Sequence, residues 1–131
     1  MKNVAFLTVI FPMKEEYLID FFNSLTNQTF NKFDVIVIND GYKKFRDIKI
    51  KYEDLSIIEL PFSDTPSKNR EFGINYCIEK NYDILIFGDS DDYFTKNRIA
   101  KSIDLLTNHN IVINDLTTFD ETGILHNNYL S

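Results

Sequence analysis

Three aspartates stand within four positions at the end of an apolar run, in the segment IFGDSDDYF at residues 86–94. Asp89, Asp91 and Asp92 would raise one another's pKa at close range unless a cation or strong hydrogen-bond donors compensated their charge. Carboxylate oxygens on a short turn are hard ligands that suit Mg²⁺ or Mn²⁺, which often keep open positions for water or substrate phosphates. A solvated acidic turn that begins the next helix is the alternative. The segment therefore indicates either a divalent-metal site or a simple polar turn.

A second acidic turn, Asn39-Asp40-Gly41, follows another apolar run. Asp40 by itself could simply begin a turn in which Gly41 supplies a positive φ. In open parallel sheets, however, ligands bind beyond the carboxyl ends of the strands. If both apolar runs are strands of one such sheet, the two acidic turns lie at the same edge. We therefore expect them to share a pocket.

Short apolar runs rich in Val, Ile and Phe are the candidates for the strands that carry these turns. They cover residues 4–11, 35–38, 57–60, 84–87 and 111–113. The runs are continuous rather than alternating, which is typical of strands buried on both faces. The charged stretch between the second and third runs, GYKKFRDIKIKYED, is predicted to be a surface helix or loop with a solvated face.

Helical spacing appears between several of these runs. Two apolar stripes have this spacing: Leu18, Phe21, Phe22 and Leu25, and Ile99, Ile103 and Leu106. A third helix is predicted after Thr65, a suitable N-cap residue, and Pro66, which suits the first helical position. Strands that alternate with helices predict right-handed crossovers and a mostly parallel sheet with helices on both faces. The sequence therefore predicts a Rossmann-like α/β fold.

The composition fits one compact domain, because 44% of the 131 residues are apolar. The formal net charge of −6 provides no basic stripe and argues against a nucleic-acid partner. The single cysteine, Cys77, excludes a disulfide within the chain, and its helical spacing with Ile74 and Ile78 indicates a buried thiol. No run is long enough to span a bilayer. We expect a cytoplasmic protein, with peripheral attachment at the inner face of a membrane left open.

Five sequence features, in this order, resemble the inverting family 2 glycosyltransferases of the GT-A fold. They are an N-terminal strand, a helix that ends in NSLTNQTF, a strand followed by NDG, a helix with an arginine and FGIN, and ILIFGDSDDYF. The resemblance covers Val4 to Leu106 and implies a GT-A nucleotide-diphospho-sugar transferase fold that is incomplete at the C-terminus. Residues 1–131 would form a single α/β domain. Residues 1–108 would be its nucleotide-sugar-binding part, and residues 109–131 the start of its acceptor-side part.

The resemblance also implies roles for individual residues. Asp40 would form a hydrogen bond with the nucleotide base. Asp91 would be the direct ligand of a Mn²⁺ or Mg²⁺ ion that bridges the diphosphate, and Asp89 would face the ribose or the metal. Arg70 corresponds to the basic residue that the family places near the nucleotide, with Lys68 as the second candidate. A solvent-facing position on a helix is the alternative for either basic residue.

Two features near the expected site need a separate interpretation. Asp92 is predicted to cap the helix that begins after Thr95, or to support the site from behind the ligands. The segment FPMKEEYL is shorter than the Pro-x-Tyr-Asn-like loop that wraps the base in the family, and Pro12 is followed by Met-Lys-Glu instead of that Tyr and Asn. The base contacts, and with them the identity of the nucleotide, are therefore left open.

The implied reaction is direct displacement at the anomeric carbon of a nucleotide sugar, with a UDP-sugar preferred, by a hydroxyl of a glycan or lipid-linked acceptor. It proceeds with inversion, and a metal neutralises charge on the leaving diphosphate. A carboxylate base must also reach the acceptor hydroxyl. In the family this base lies well after the DxD motif, which the resemblance places at Asp89-Ser90-Asp91. We assign the base to none of Asp115, Asp120 and Glu121. We therefore expect the chain alone to transfer sugar slowly or not at all.

Two other function classes are compatible with the sequence. One is a non-catalytic module for nucleotide-sugar binding or assembly. Another is a Mg²⁺-dependent phosphotransfer or phosphatase domain, whose nucleophilic aspartate follows a parallel strand. Uncovered apolar surface is expected near residues 111–116 and 124–130, and it favours a homo-oligomer or docking onto a partner.

Overall fold

The structure, a computed structural model, describes residues 2–110 and two short strands at residues 118–119 and 125–126. The strands are β1 (Val4–Ile10), β2 (Asp34–Asn39), β3 (Ser56–Pro61), β4 (Ile84–Phe87), β5 (Thr118–Phe119) and β6 (Leu125–His126). The helices are α1 (Glu15–Thr26), α2 (Phe45–Lys49), α3 (Pro66–Glu79) and α4 (Arg98–Leu106), and a 3-10 helix (Ile50–Tyr52) follows α2. No helix in residues 2–110 is long and apolar enough to cross a membrane.

The first four strands form one parallel sheet in the order β3-β2-β1-β4. β1 pairs with β2 on one side, with Ala5 opposite Asp34, and with β4 on the other side, with Val4 opposite Ile84. β5 and β6 form a separate antiparallel pair. Because β1 lies between β2 and β4, the turns that follow β2 and β4 flank the end of β1. The parallel arrangement and this strand order place the two acidic turns on either side of β1, at the carboxyl ends of the strands.

Helices cover both faces of the sheet, as predicted. On one face, Phe6 and Ile10 of β1 pack with aromatic residues of α1 and with Ile99 of α4 in the larger hydrophobic cluster. On the other face, Leu7 and Ala5 pack with residues of α3 in the smaller cluster. The alternation of β1 side chains between two apolar clusters explains why its sequence is continuously apolar.

The helix before β4 begins as its sequence predicts. The backbone N–H of Lys68 donates to Thr65 Oγ1 at 3.3 Å, and Pro66 is the first residue of α3. Cys77 is buried on this helix, and desolvation raises the pKa of its thiol to about 11. The thiolate that a nucleophile or metal ligand requires is therefore disfavoured at neutral pH.

A buried glutamine connects the end of α1 to the start of α4. Gln28 Nε2 donates to the carbonyl of Thr95 at 2.7 Å, and Gln28 Oε1 accepts the backbone N–H of Ile99 at 3.1 Å. The backbone N–H of Thr29 also donates to the carbonyl of Lys96 at 2.7 Å. The segment that follows the acidic turn is therefore fixed to α1.

Some boundaries differ from those expected. β1 ends at Ile10, and Phe11 is exposed beyond it. β3 is only partly buried because it is the edge strand of the sheet. The charged stretch after β2 forms α2 and the 3-10 helix, but Phe45 and Ile48 are buried within it. The predicted strand at residues 111–113 lies outside the described residues, as do the apolar segment 111–116 and, apart from the two residues of β6, the segment 124–130.

Candidate functional site

A cavity of about 370 Å³ lies at the carboxyl ends of β1, β2 and β4. Its lining includes the four residues that the sequence singled out, Asp40, Arg70, Asp89 and Asp91. Four separate segments contribute to it: β1 and Phe11, the turn after β2, the first turns of α3, and residues 87–91. Lys68 is not among the lining residues, and its Nζ lies 3.7 Å from Glu71 Oε2. The structure therefore groups the predicted residues, with the exception of the second basic candidate.

The acidic turn leaves β4 through a glycine that has no room for a side chain. A Cβ on Gly88 would lie 2.5 Å from Phe6 Cζ and 2.6 Å from Phe94 Cζ. These two rings pack edge to face, with centroids 5.2 Å apart, and both are buried. The backbone at Gly88 thus passes directly over two core phenylalanines, and their packing fixes where the turn begins.

The three aspartates of this turn form an exposed cluster. One carboxylate oxygen from each of Asp89, Asp91 and Asp92 lies within 4.8 Å of the others. Asp92 was expected to cap the next helix or to lie behind the site, and the cap prediction is wrong. The helix α4 begins at Arg98, and its N-cap residue is Asn97, which makes no side-chain cap hydrogen bond. The backbone N–H of Asp92 instead donates to the carbonyl of Asp89 at 3.0 Å, so the turn folds Asp92 towards its acidic neighbours.

An arginine behind the cluster was not singled out from the sequence. Arg98 Nη2 donates to the carbonyl of Phe87 at 2.7 Å, and its guanidinium lies 4.6 Å from the centroid of the Phe94 ring. Burial lowers the pKa of Arg98, while the charges of Asp92 and Asp89 act in the opposite direction. Arg98 therefore holds the last residue of β4 and adds a positive charge near the carboxylates. Its position at the start of an amphipathic helix gave no sequence signal for this contact.

On the opposite side of the cavity, Asp40 follows β2 in a tightly closed turn. Asn39 closes this turn, since its Oδ1 accepts the backbone N–H of Tyr42 at 2.8 Å and its Nδ2 donates to the carbonyl of Tyr42 at 3.0 Å. Gly41 has a φ of +85°, which L side chains rarely adopt. The turn that the sequence predicted at Asn39-Asp40-Gly41 is therefore confirmed.

Arg70 extends from α3 towards the acidic turn. Its Nη2 lies 3.9 Å from Asp89 Oδ1, and both side chains are more than half exposed. An exposed pair at this distance contributes little to stability. The guanidinium can therefore exchange the carboxylate for another anion, such as a phosphate, at small cost.

We expect Asp92→Asn to stabilise the chain in the absence of metal. Partial desolvation of the carboxyl group, followed by the charges of Asp89 and Asp91, raises the pKa of Asp92. The folded chain thus holds this proton more tightly than the unfolded chain, so the associated stability is lost as pH rises through the raised pKa. At pH 7 in chelator, the unfolding midpoint should rise by roughly 1–3 °C, a small effect because the group is partly solvated.

The difference between Asp92→Asn and wild type should disappear as pH falls below the ordinary aspartate pKa of 3.8. Asp54→Asn, in an exposed turn, is the matched control and should leave the midpoint unchanged. A lower midpoint for Asp92→Asn at pH 7 would show instead that attraction to Arg98 outweighs burial and the neighbouring charges.

The structure resembles TarS of S. aureus with a TM-score of 0.69 and 23% identity, over 82% of this chain and 20% of TarS. TarS 1–349 in complex with UDP-GlcNAc gives the same TM-score and identity, with 32% of that chain covered, and its complex with UDP gives 33%. The chain thus spans about a fifth of TarS and about a third of its 1–349 fragment. These likenesses show the fold, a GT-A-like α/β fold. No curated protein matches the sequence.

The sequence also matches a family model over most of its length. The matched residues are 8–128, and the model describes glycosyl transferase family 2. The match begins in β1 and includes both acidic turns, so it covers every residue that lines the cavity except Leu7. The chain belongs to glycosyl transferase family 2.

Proposed function

We propose that this chain binds a nucleotide-sugar donor, a UDP-sugar, and forms the donor-binding part of an inverting glycosyltransferase. The observation that carries the proposal is the single cavity that has Asp40 on one side, Asp89 and Asp91 on the other, and Arg70 between α3 and the acidic turn. The TarS structures include complexes with UDP-GlcNAc and with UDP, which supports this choice of ligand. The acceptor class we propose is a glycan or a lipid-linked sugar.

The acidic turn is the proposed site of Mn²⁺ or Mg²⁺. The residues fit such an ion, because three carboxylates offer hard oxygen ligands within 4.8 Å of one another on an exposed turn. Asp91 would be the direct ligand, with Asp89 beside it facing the ion or the ribose. A divalent cation bound there would act as a Lewis acid towards the oxygens of a diphosphate. The approach of an anionic diphosphate to this turn is otherwise unfavourable, since the chain carries a formal net charge of −6.

The other residues of the cavity would bind and orient the donor. Asp40 accepts hydrogen bonds only, so it suits a base that presents an N–H group. Arg70 is exposed, within reach of Asp89, and can pair with a phosphate oxygen in a bidentate manner. A general base for the acceptor hydroxyl is assigned to no residue of this chain. The division into a donor-binding part at residues 1–108 and an acceptor-side part from residue 109 is part of the proposal.

The test is a panel of nucleotides and nucleotide sugars in a thermal unfolding assay, with Mn²⁺ and with chelator. A ligand that binds only the folded chain raises the midpoint by mass action, and a ligand at 100 times its Kd adds about 2.7 kcal/mol of stability. We expect UDP and a UDP-sugar to raise the midpoint when Mn²⁺ is present. A panel in which no nucleoside diphosphate shifts the midpoint under any metal condition would contradict the proposal.

Two alternatives give different results. A non-catalytic binding module would show the same shifts but would transfer no sugar to an acceptor. A phosphotransfer domain would become labelled by a phosphoryl donor, because its aspartate forms a covalent intermediate. Release of UDP that depends on an added acceptor distinguishes sugar transfer from both.

A further inference from the structure

A buried asparagine in the first turn of α3 connects two of the segments that form the cavity. Asn69 is 1% exposed and also lines the cavity. Its Nδ2 donates to Asp40 Oδ2 at 2.8 Å, and its Oδ1 accepts the backbone N–H of Asp64 at 3.0 Å. A longer contact of 3.3 Å joins Nδ2 to the carbonyl of Asp64. Both polar atoms of this amide are therefore in use.

The orientation of the amide is fixed by the chemistry of its partners. A backbone N–H can only donate, so the amide oxygen must face Asp64. A carboxylate can only accept, so the amide nitrogen must face Asp40. Rotation of the amide by 180° would place oxygen against carboxylate and N–H against N–H. Asn69 thus has a single orientation, and that orientation presents a donor to Asp40.

This contact controls where the Asp40 carboxylate points. The backbone of Asp40 is already held, because its N–H donates to the carbonyl of Ile10 at 2.8 Å. The side-chain carboxylate is held by the hydrogen bond from Asn69. Within residues 2–110, Asp40 Oδ1 has no hydrogen-bond partner, while Oδ2 is bound to Asn69. The asparagine therefore leaves one carboxylate oxygen available at the cavity and fixes its direction.

We propose that Asn69 is a positioning residue that holds the Asp40 carboxylate in the orientation needed to accept a hydrogen bond from the nucleotide base. The inference rests on the proposed function, because it takes Asp40 as the base-binding residue. A pre-oriented carboxylate binds more tightly than a mobile one, since the side chain loses less freedom when the ligand arrives. In this proposal Asn69 acts through Asp40, and the role requires no contact between Asn69 and the diphosphate.

Asn69→Asp separates this role from a purely structural one. The substituted side chain has nearly the same shape and can still accept the N–H of Asp64, so the turn before α3 keeps its contact. It loses the donor to Asp40 and places a second carboxylate against the first. A hydrogen bond to a charged group has been replaced by repulsion. The Asp40 carboxylate is then expected to turn away from its present direction.

The experiment measures the affinity of UDP and of inorganic pyrophosphate by calorimetry, both in Mn²⁺. Pyrophosphate carries the diphosphate without a base, so it reports the metal site and Arg70 but not the contact with Asp40. We expect Asn69→Asp to weaken UDP binding by about tenfold or more relative to its effect on pyrophosphate, as the loss of one charge-assisted hydrogen bond implies. In an Asp40→Ala background, the same substitution should cause no further selective loss of UDP, because the residue that Asn69 orients is absent.

The control is Asn75→Asp, which makes the same charge change at an exposed position of the same helix. It should leave the ratio of UDP to pyrophosphate affinity unchanged. If Asn69→Asp does not remain folded, Asn69→Ser is used instead. It removes the amide group that donates to Asp40 without adding a charge, and the affinities of UDP and pyrophosphate are compared in the same way. The inference is overturned if the ratio is unchanged in the Asn69 variant, or if the loss is equally large without Asp40. Wild-type chain that binds pyrophosphate but not UDP overturns the proposed function as well.

Discussion

UDP is expected to bind this chain roughly 100-fold more tightly in Mn²⁺ or Mg²⁺ than in chelator, a difference of about 2.7 kcal/mol. The reason is the electrostatics of the acidic turn. Asp89, Asp91 and Asp92 have carboxylate oxygens within 4.8 Å of one another, and a diphosphate that approaches them without a cation is repelled. A divalent ion inverts the local charge and attracts both partners. Calorimetric titration with UDP, with and without the metal, measures the difference directly.

Asp91→Asn should remove most of this metal dependence. The amide keeps the size of the side chain but has no charge, so UDP affinity in Mn²⁺ should fall close to the value in chelator. Asp54→Asn removes a carboxylate from an exposed turn outside the cavity and serves as the control. Asp40→Ala should weaken UDP while leaving Mn²⁺ binding unchanged. Equal UDP affinity with and without metal in the wild-type chain would refute the assignment of the turn.

The second large effect is expected from Gly88→Ala. The added Cβ would lie 2.5 Å from Phe6 Cζ and 2.6 Å from Phe94 Cζ, and both rings are buried and packed against each other. Overpacking of this kind costs about 1–3 kcal/mol, because rings and backbone must shift. The same shift would displace Asp89 and Asp91, so UDP affinity in Mn²⁺ should fall together with stability. Urea unfolding and UDP titration measure the two losses.

A second substitution can test the cause of this effect. Phe94→Leu shortens one of the two side chains that the new methyl group would meet, so Gly88→Ala combined with Phe94→Leu should be destabilised by less than the sum of the single variants. Additive losses would show that the methyl group is accommodated elsewhere. A wild-type unfolding midpoint for Gly88→Ala alone would contradict the packing described for this position.

Much of the fold followed from local sequence. The four apolar runs at residues 4–11, 35–38, 57–60 and 84–87 became β1 to β4 with shifts of about one residue at their ends, within the usual uncertainty of element boundaries. Continuous apolar runs are a strong signal because the strands have helices on both faces. The helical turns near Phe45 were harder to assign, since two buried side chains are surrounded by lysines and other charged residues. Neither helix nor strand periodicity is clear in so short a segment.

The candidate site was predictable only in part. Aspartates directly after strands are visible in the sequence, and the parallel arrangement places them at one edge of the sheet. The strand order was not visible, although it is the position of β1 between β2 and β4 that sets the two acidic turns on either side of one cavity. The contacts of Asn69 and Arg98 were also missed. Both residues lie on helices, where a polar side chain usually faces solvent, and their partners are distant in sequence.

The fixation of the acidic turn at both ends has a consequence for the entropy of binding. At one end, the backbone N–H of Gly88 donates to the carbonyl of Leu7 at 3.2 Å, and at the other end Gln28 binds Thr95 and Ile99. A short loop with anchored ends has few conformations, so most of its ordering takes place when the chain folds rather than when a cation arrives. Gln28 lies outside the cavity, yet it limits the disorder that a ligand would otherwise have to remove. Loss of the Gln28 contacts would therefore weaken the binding of a cation through the entropy cost of ordering the loop, although every carboxylate would still be present.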